Sequence, residues 1–135
     1  MYAGEAVTWF SRTQRYVTLS TTESEYVALG DCIKETLFVR GVLEFLVPYT
    51  TFRPVRVYED NQGAIHLADN PMSSARTKHI DIRHHFARSL VSEGEIEVIH
   101  VASEEQHADV MTKALGEEEF IYHRATLMNI RGITV

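Results

Sequence analysis

The spacing of apolar residues changes several times along the chain, and each change marks an element. Ala6-Val7-Thr8-Trp9-Phe10 and Arg15-Tyr16-Val17-Thr18-Leu19 are rich in β-branched and aromatic residues, with polar residues between the runs, which predicts one or two strands. From Thr22 to Leu46 the period becomes helical: Tyr26, Leu29, Ile33 and Leu37 recur alongside Phe38, Val42 and Phe45. Two overlapping capping boxes fit the start of this helix, Thr22 with Glu25 and Ser20 with Glu23, and Val47-Pro48 closes its end.

Val55-Arg56-Val57-Tyr58-Glu59 alternates and runs at once into Asp60-Asn61-Gln62-Gly63, which predicts a strand passing into a short helix that ends at Asn70-Pro71. After the polar stretch Met72 to Thr77, the residues Ile82, Phe86 and Leu90 lie four apart and mark an amphipathic helix ending at Gly94. Ile96-Glu97-Val98-Ile99-His100-Val101 reads as a mostly buried strand, and Glu104 to Leu115 as a helix closed by Gly116. Glu117 to Val135 holds Phe120, Ile121, Tyr122, Leu127, Met128 and Ile130 and reads as a last helix. Strands separated by helices imply a layered α/β fold with at least part of its sheet parallel.

A length of 135 residues suits one domain, and 44% hydrophobic with 24% charged residues is the balance of a globular chain. No stretch approaches the roughly 18 apolar residues of a membrane span. Met1-Tyr2-Ala3-Gly4-Glu5 lacks the basic and apolar parts of a signal peptide, so an intracellular protein with no membrane partner is expected. The single cysteine, Cys32, forms no internal disulfide and reads as a small buried helix residue. The net charge of −6 is unevenly spread: Arg76, Lys78, Arg83 and Arg88 face one acid, Asp81, a local +3 that leaves −9 elsewhere. Protonated His79, His84 and His85 add to this basic segment, which reads either as a phosphate-contacting surface or as a solvated helix face.

In an open α/β sheet, chemistry gathers beyond the carboxyl ends of the strands, and three acids fall there: Glu25, Asp60 and Asp109. Each also has a structural reading, Glu25 as capping partner of Thr22, Asp60 as an N-cap and Asp109 as an acid favoured by a helix dipole. Clustered carboxylates repel unless a hard divalent cation holds them, so magnesium is the natural partner. His84 and His85 are sequence neighbours about 100° apart on a helix and do not both face one ion easily. His107 reads as a partly exposed polar residue, and Trp9, Phe10 and Tyr16 as core aromatics. No phosphate-binding glycine loop and no Ser or Cys nucleophile arrangement is present.

Four runs then carry a resemblance: Leu19-Ser20-Thr21-Thr22-Glu23-Ser24-Glu25-Tyr26, Glu59-Asp60-Asn61-Gln62-Gly63-Ala64-Ile65, Arg76-Thr77-Lys78-His79-Ile80-Asp81-Ile82 and Gln106-His107-Ala108-Asp109-Val110-Met111-Thr112-Lys113. In order and content they resemble the ribonuclease H domain of Ty1/copia-type retrotransposon Pol polyproteins, from about Ala6 to Leu115. The resemblance implies a ribonuclease H-like mixed sheet flanked by helices, in a domain over residues 1–116 with a C-terminal helical extension over 117–135. It implies two magnesium or manganese ions held by an Asp-Glu-Asp-Asp set, and cleavage of the RNA strand of RNA/DNA hybrids during reverse transcription.

Carried over by position, the second, third and fourth acids are Glu25, Asp60 and Asp109, both catalytic and metal-binding. Arg76, Lys78, His79, Arg83 and Arg88 would hold the hybrid. The first acid and its central strand have no counterpart in this sequence, so little turnover is expected from the chain alone; the alternatives for the gap are a rearranged sheet, a strand donated by another chain, as in strand-complementing self-association, or a marginal, aggregation-prone fragment. The resemblance also implies the reverse transcriptase portion of the same polyprotein as partner, in a cytoplasmic virus-like particle or the nucleus. A catalytically dead, nucleic-acid-binding or structural remnant is the alternative.

Overall fold

The computed structural model describes residues 4–15, 17–49, 54–70 and 86–130. Contacts divide the chain into two compact units, Tyr16–Val101 and Met1–Arg15 with Ala102–Val135. The first carries α1 (Thr21–Leu46), β1 (Val55–Glu59), α2 (Gln62–Asp69), helical residues 86–92 (α3) and β2 (Ile96–His100). The second carries the 3-10 turns Ser103–Glu105 and His107–Met111 and then α4 (Glu117–Leu127). The class is α/β, consistent with a ribonuclease H-like architecture: helices pack with a parallel sheet in which β1 pairs with β2, Val55 opposite Ile96 through Glu59 opposite His100.

Tyr26, Val27, Leu29 and Ile33 of α1, Val57 of β1, Ala64 and Ala68 of α2, Ala87 of α3 and Ile96 of β2 make one core. Alternation along β1 turns Val57 and Glu59 inward while Arg56 and Tyr58 face out. Burial on α1 ends at Ile33. Phe38 and Phe45, expected on its buried face, are 68% and 82% exposed. The cause is length: a helix of 26 residues extends about 39 Å at 1.5 Å per residue, whereas five-residue strands reach about 17 Å, so the second half of α1 outruns the sheet. Cys32 is exposed on the same helix, not buried as its residue type suggested.

Two expected elements differ. The described residues of 6–19 form no strand; Val7, Trp9, Phe10, Val17 and Leu19 are exposed, and Glu5 makes an isolated bridge. Strand propensity expresses itself only against a paired neighbour, and none of the described residues of this run belongs to the buried core. Tyr16, read with these aromatics, lies outside the described residues. The helix expected over Glu104 to Leu115 is instead two short 3-10 turns separated by Gln106 in extended conformation. That stretch has no buried residue in either turn, so no apolar face rewards a longer helix.

Candidate functional site

The start of α1 decides between its two capping boxes. Ser20 is the N-cap, its hydroxyl accepting from the Glu23 N–H at 3.2 Å, while Glu23 Oε2 accepts from the Leu19 N–H at 2.7 Å. Glu23 is buried by this duty, and Glu25, half-buried in the next position but one, is not the capping acid. The same happens at α2. Asn61, not Asp60, is its N-cap, with Oδ1 accepting from the Ala64 N–H at 3.0 Å. Neither acid is therefore the capping residue of its helix.

Glu59 connects them. It is 6% exposed, and its Oε1 accepts from the Asn61 N–H at 3.0 Å. Burial pushes its carboxyl up to about 7; the charges of Glu25 and Asp60 push the same way, and hydrogen bonds from the Asn61 and Asp60 N–H groups oppose them. A buried carboxyl that feels both other acids makes the β1-to-α2 corner a region of negative potential. Sequence reading passed over Glu59, although the alternation of Val55, Val57 and Glu59 had already assigned it to the inner face of β1. Approach of the two helices depends on Gly63: a Cβ there would meet Thr22 of α1.

Asp109 lies in the other unit, in the 3-10 turn His107–Met111. Its Oδ2 is 2.7 Å from Lys113 Nζ, and its side chain is 17% exposed. The Lys113 N–H donates to its carbonyl at 2.8 Å. This turn is joined to α4 through the histidines: His107 Nδ1 lies 2.8 Å from Nδ1 of the buried His123. Burial holds His107 below its ordinary value, the charge of His123 acting likewise and that of Glu105 opposing. Tyr122 packs its ring against His107 and donates its hydroxyl to Glu105 at 2.9 Å. His123 was not singled out from the sequence, where its only signal is a place four residues before Leu127 on a helical face.

Of the basic candidates, Arg76, Lys78, His79 and Arg83 lie outside the described residues. Arg88 is an interior side chain. It is 8% exposed, its Nε donates to the Leu67 carbonyl at 2.8 Å, and its guanidinium stands 5.6 Å from the Tyr26 ring centroid. With its Nε committed to a part-buried carbonyl, Arg88 presents little surface to a phosphate. Among the described residues, no group of three or more His, Cys, Asp or Glu side chains is gathered as a metal cage. The donor chemistry at the corner nonetheless suits a hard divalent ion, because the side chains of Glu25 and Asp60 offer carboxylate oxygens. Among the described residues no helix is long and apolar enough to cross a membrane.

Comparison with known proteins gives the chain a place. It is 38% identical over 119 residues, 88% of its length, to the retrovirus-related Pol polyprotein from transposon TNT 1-94 of Nicotiana tabacum. It is 38% and 36% identical over 114 residues, 84% of its length, to the corresponding polyproteins from transposons RE1 and RE2 of Arabidopsis thaliana. Its homologues are retrovirus-related Pol polyproteins of plant transposons. The chain is thus a retrotransposon-derived domain, spanning 8% to 9% of the length of these relatives. No family model matches, and neither does any solved structure.

Proposed function

We propose that this domain is the ribonuclease H portion of a copia-type Pol polyprotein, built for divalent-metal-dependent hydrolysis of the RNA strand in RNA/DNA hybrids. The supporting observation is the division of labour at the helix starts. Ser20, Glu23 and Asn61 do the capping, so Glu25 and Asp60 stand at neighbouring element ends without a capping role. The four motifs named above and the Pol homologues favour the same reading.

In this reading Glu25 and Asp60 would hold magnesium or manganese, and Asp109 is assigned as a ligand by its motif alone. Bound, the metal supplies charge neutralisation at the scissile phosphate and a more acidic nucleophilic water. The chain's own contributions are carboxylate oxygens fixed by rigid elements. Asp60 is carried at the end of β1, Glu25 in the first turns of α1, and Asp109 in a turn where Lys113 offsets its charge. Arg76, Lys78, His79 and Arg83 would grip the hybrid backbone, a salt-dependent and sequence-independent contact. The reverse transcriptase portion of the polyprotein would deliver that hybrid.

The test is cleavage of a labelled RNA/DNA hybrid in magnesium and in manganese, by this chain and by a form extended upstream in the polyprotein. Asp60→Asn is the control in each. Cleavage abolished by Asp60→Asn supports the reading. Hybrid binding without cleavage in both forms would favour a nucleic-acid-binding remnant.

A further inference from the structure

Burying a carboxylate is costly, and the fold gains nothing from the charge of Glu59 that a neutral acceptor would not provide. Its geometry is specific. On one side of Asp60, the Glu59 carbonyl accepts from the Val101 N–H at 3.1 Å, which fixes the end of β1 to the chain leaving β2. On the other side, the Asn61 N–H donates to Glu59 Oε1 at 3.0 Å, and Asn61 Oδ1 is committed to the Ala64 N–H at 3.0 Å. The peptide units flanking Asp60 are thus held before and behind. The Glu59 carboxylate is itself immobilised by burial against the core side of β1.

We propose that Glu59 is a positioning residue for Asp60: by accepting the Asn61 N–H it locks the corner that presents the Asp60 carboxylate to a divalent cation. This rests on the metal-binding reading of Glu25 and Asp60 given above. The feature that acts is the acceptor oxygen, since a side chain of similar size without an acceptor frees the Asn61 peptide and lets Asp60 turn. Outer-shell groups of this kind change metal affinity without touching the ion, commonly by tenfold or more.

The experiment measures manganese binding to the full chain by electron paramagnetic resonance, with the Asn61 amide resonance and thermal melting followed in parallel. Glu59→Gln keeps an acceptor and should stay within about twofold of the parent, with the Asn61 amide in place. Glu59→Met fills the same volume without a comparable acceptor. It should shift the Asn61 amide and weaken manganese binding about tenfold, while the melting temperature holds or rises because a buried carboxylate has gone.

A merely structural role would lower affinity and melting temperature together, and that outcome overturns the proposal. So does equal weakening by Gln and Met, or unchanged binding in Glu59→Met while Asp60→Asn weakens it. If Asp60→Asn itself leaves manganese binding intact, the metal reading fails and this inference falls with it.

Discussion

A Cβ built on Gly63 would lie 2.8 Å from Cγ2 of Thr22 and 3.0 Å from its Oγ1. The first turn of α2 therefore rests directly on the first turn of α1, which is what brings the ends carrying Glu25 and Asp60 into one corner. Alanine normally exceeds glycine in a helix by about 1 kcal/mol. Here the clash reverses the sign, and Gly63→Ala should destabilise by about 1–3 kcal/mol, the usual cost of overpacking. Adding Thr22→Ser, which removes Cγ2, should recover part of the loss. Denaturant melts of the two single variants and the double variant measure that coupling.

The elevated carboxyl of Glu59 makes a pH prediction. Its folded value of about 7 lies above its ordinary one, so the folded state holds the proton more tightly. Stability from this group is full below the ordinary carboxylate range and is lost as pH rises through about 7. Glu59→Met should therefore be the more stable protein at pH 8, by about 3 kcal/mol on the basis of 1.36 kcal/mol per unit. Near pH 4, where the carboxyl is neutral and still accepts from the Asn61 N–H, the parent should be the more stable. Thermal melts across that range would show the two curves crossing.

Capping assigns opposite fates to neighbouring residues. Ser20→Ala removes the acceptor for the Glu23 N–H and should cost about 1 kcal/mol. Glu25→Gln should cost less than Ser20→Ala, because Glu25 does not cap α1. A larger loss from Glu25→Gln than from Ser20→Ala in urea denaturation would return Glu25 to a structural role.

Arg88→Ala should act on the fold. It leaves the Leu67 carbonyl without its donor and opens space beside Tyr26, so a loss of about 2–4 kcal/mol is expected. Chemical denaturation measures this. On the proposed ribonuclease H reading, the salt dependence of hybrid binding by the folded variant should match that of the parent, whereas Arg83→Ala should shallow its slope by about one unit.

The histidine pair predicts acid sensitivity in the other unit. Burial lowers His107 and leaves its ring nitrogen 2.8 Å from that of His123, so one proton fits between the rings and two repel. A depressed histidine gives stability that is full above its ordinary value and declines as pH falls below it. Melting followed by the Tyr122 ring resonances should drop between pH 7 and 5, and His123→Phe should flatten that drop.

Much of this protein is local in origin and was legible from its residues. Periodic burial marked α1 and the alternation of β1, while Asn70 and Gly94 closed helices through a short-range hydrogen bond and a backbone turn. These features depend on residues a few positions apart. Tertiary structure decided the rest, because each remaining question turned on a distant neighbour. Which residue caps α1 is settled by Ser20 and Glu23, with Thr22 packed closely on Gly63.

The β-rich run of residues 6–19 needed a pairing strand to become one. Arg88 looked like a surface cation, but Leu67, 21 residues away, offers it a part-buried carbonyl. His107 and His123 meet across 16 residues. Sequence determines what each residue is able to do; burial and the partners brought by folding determine which of those capacities is used.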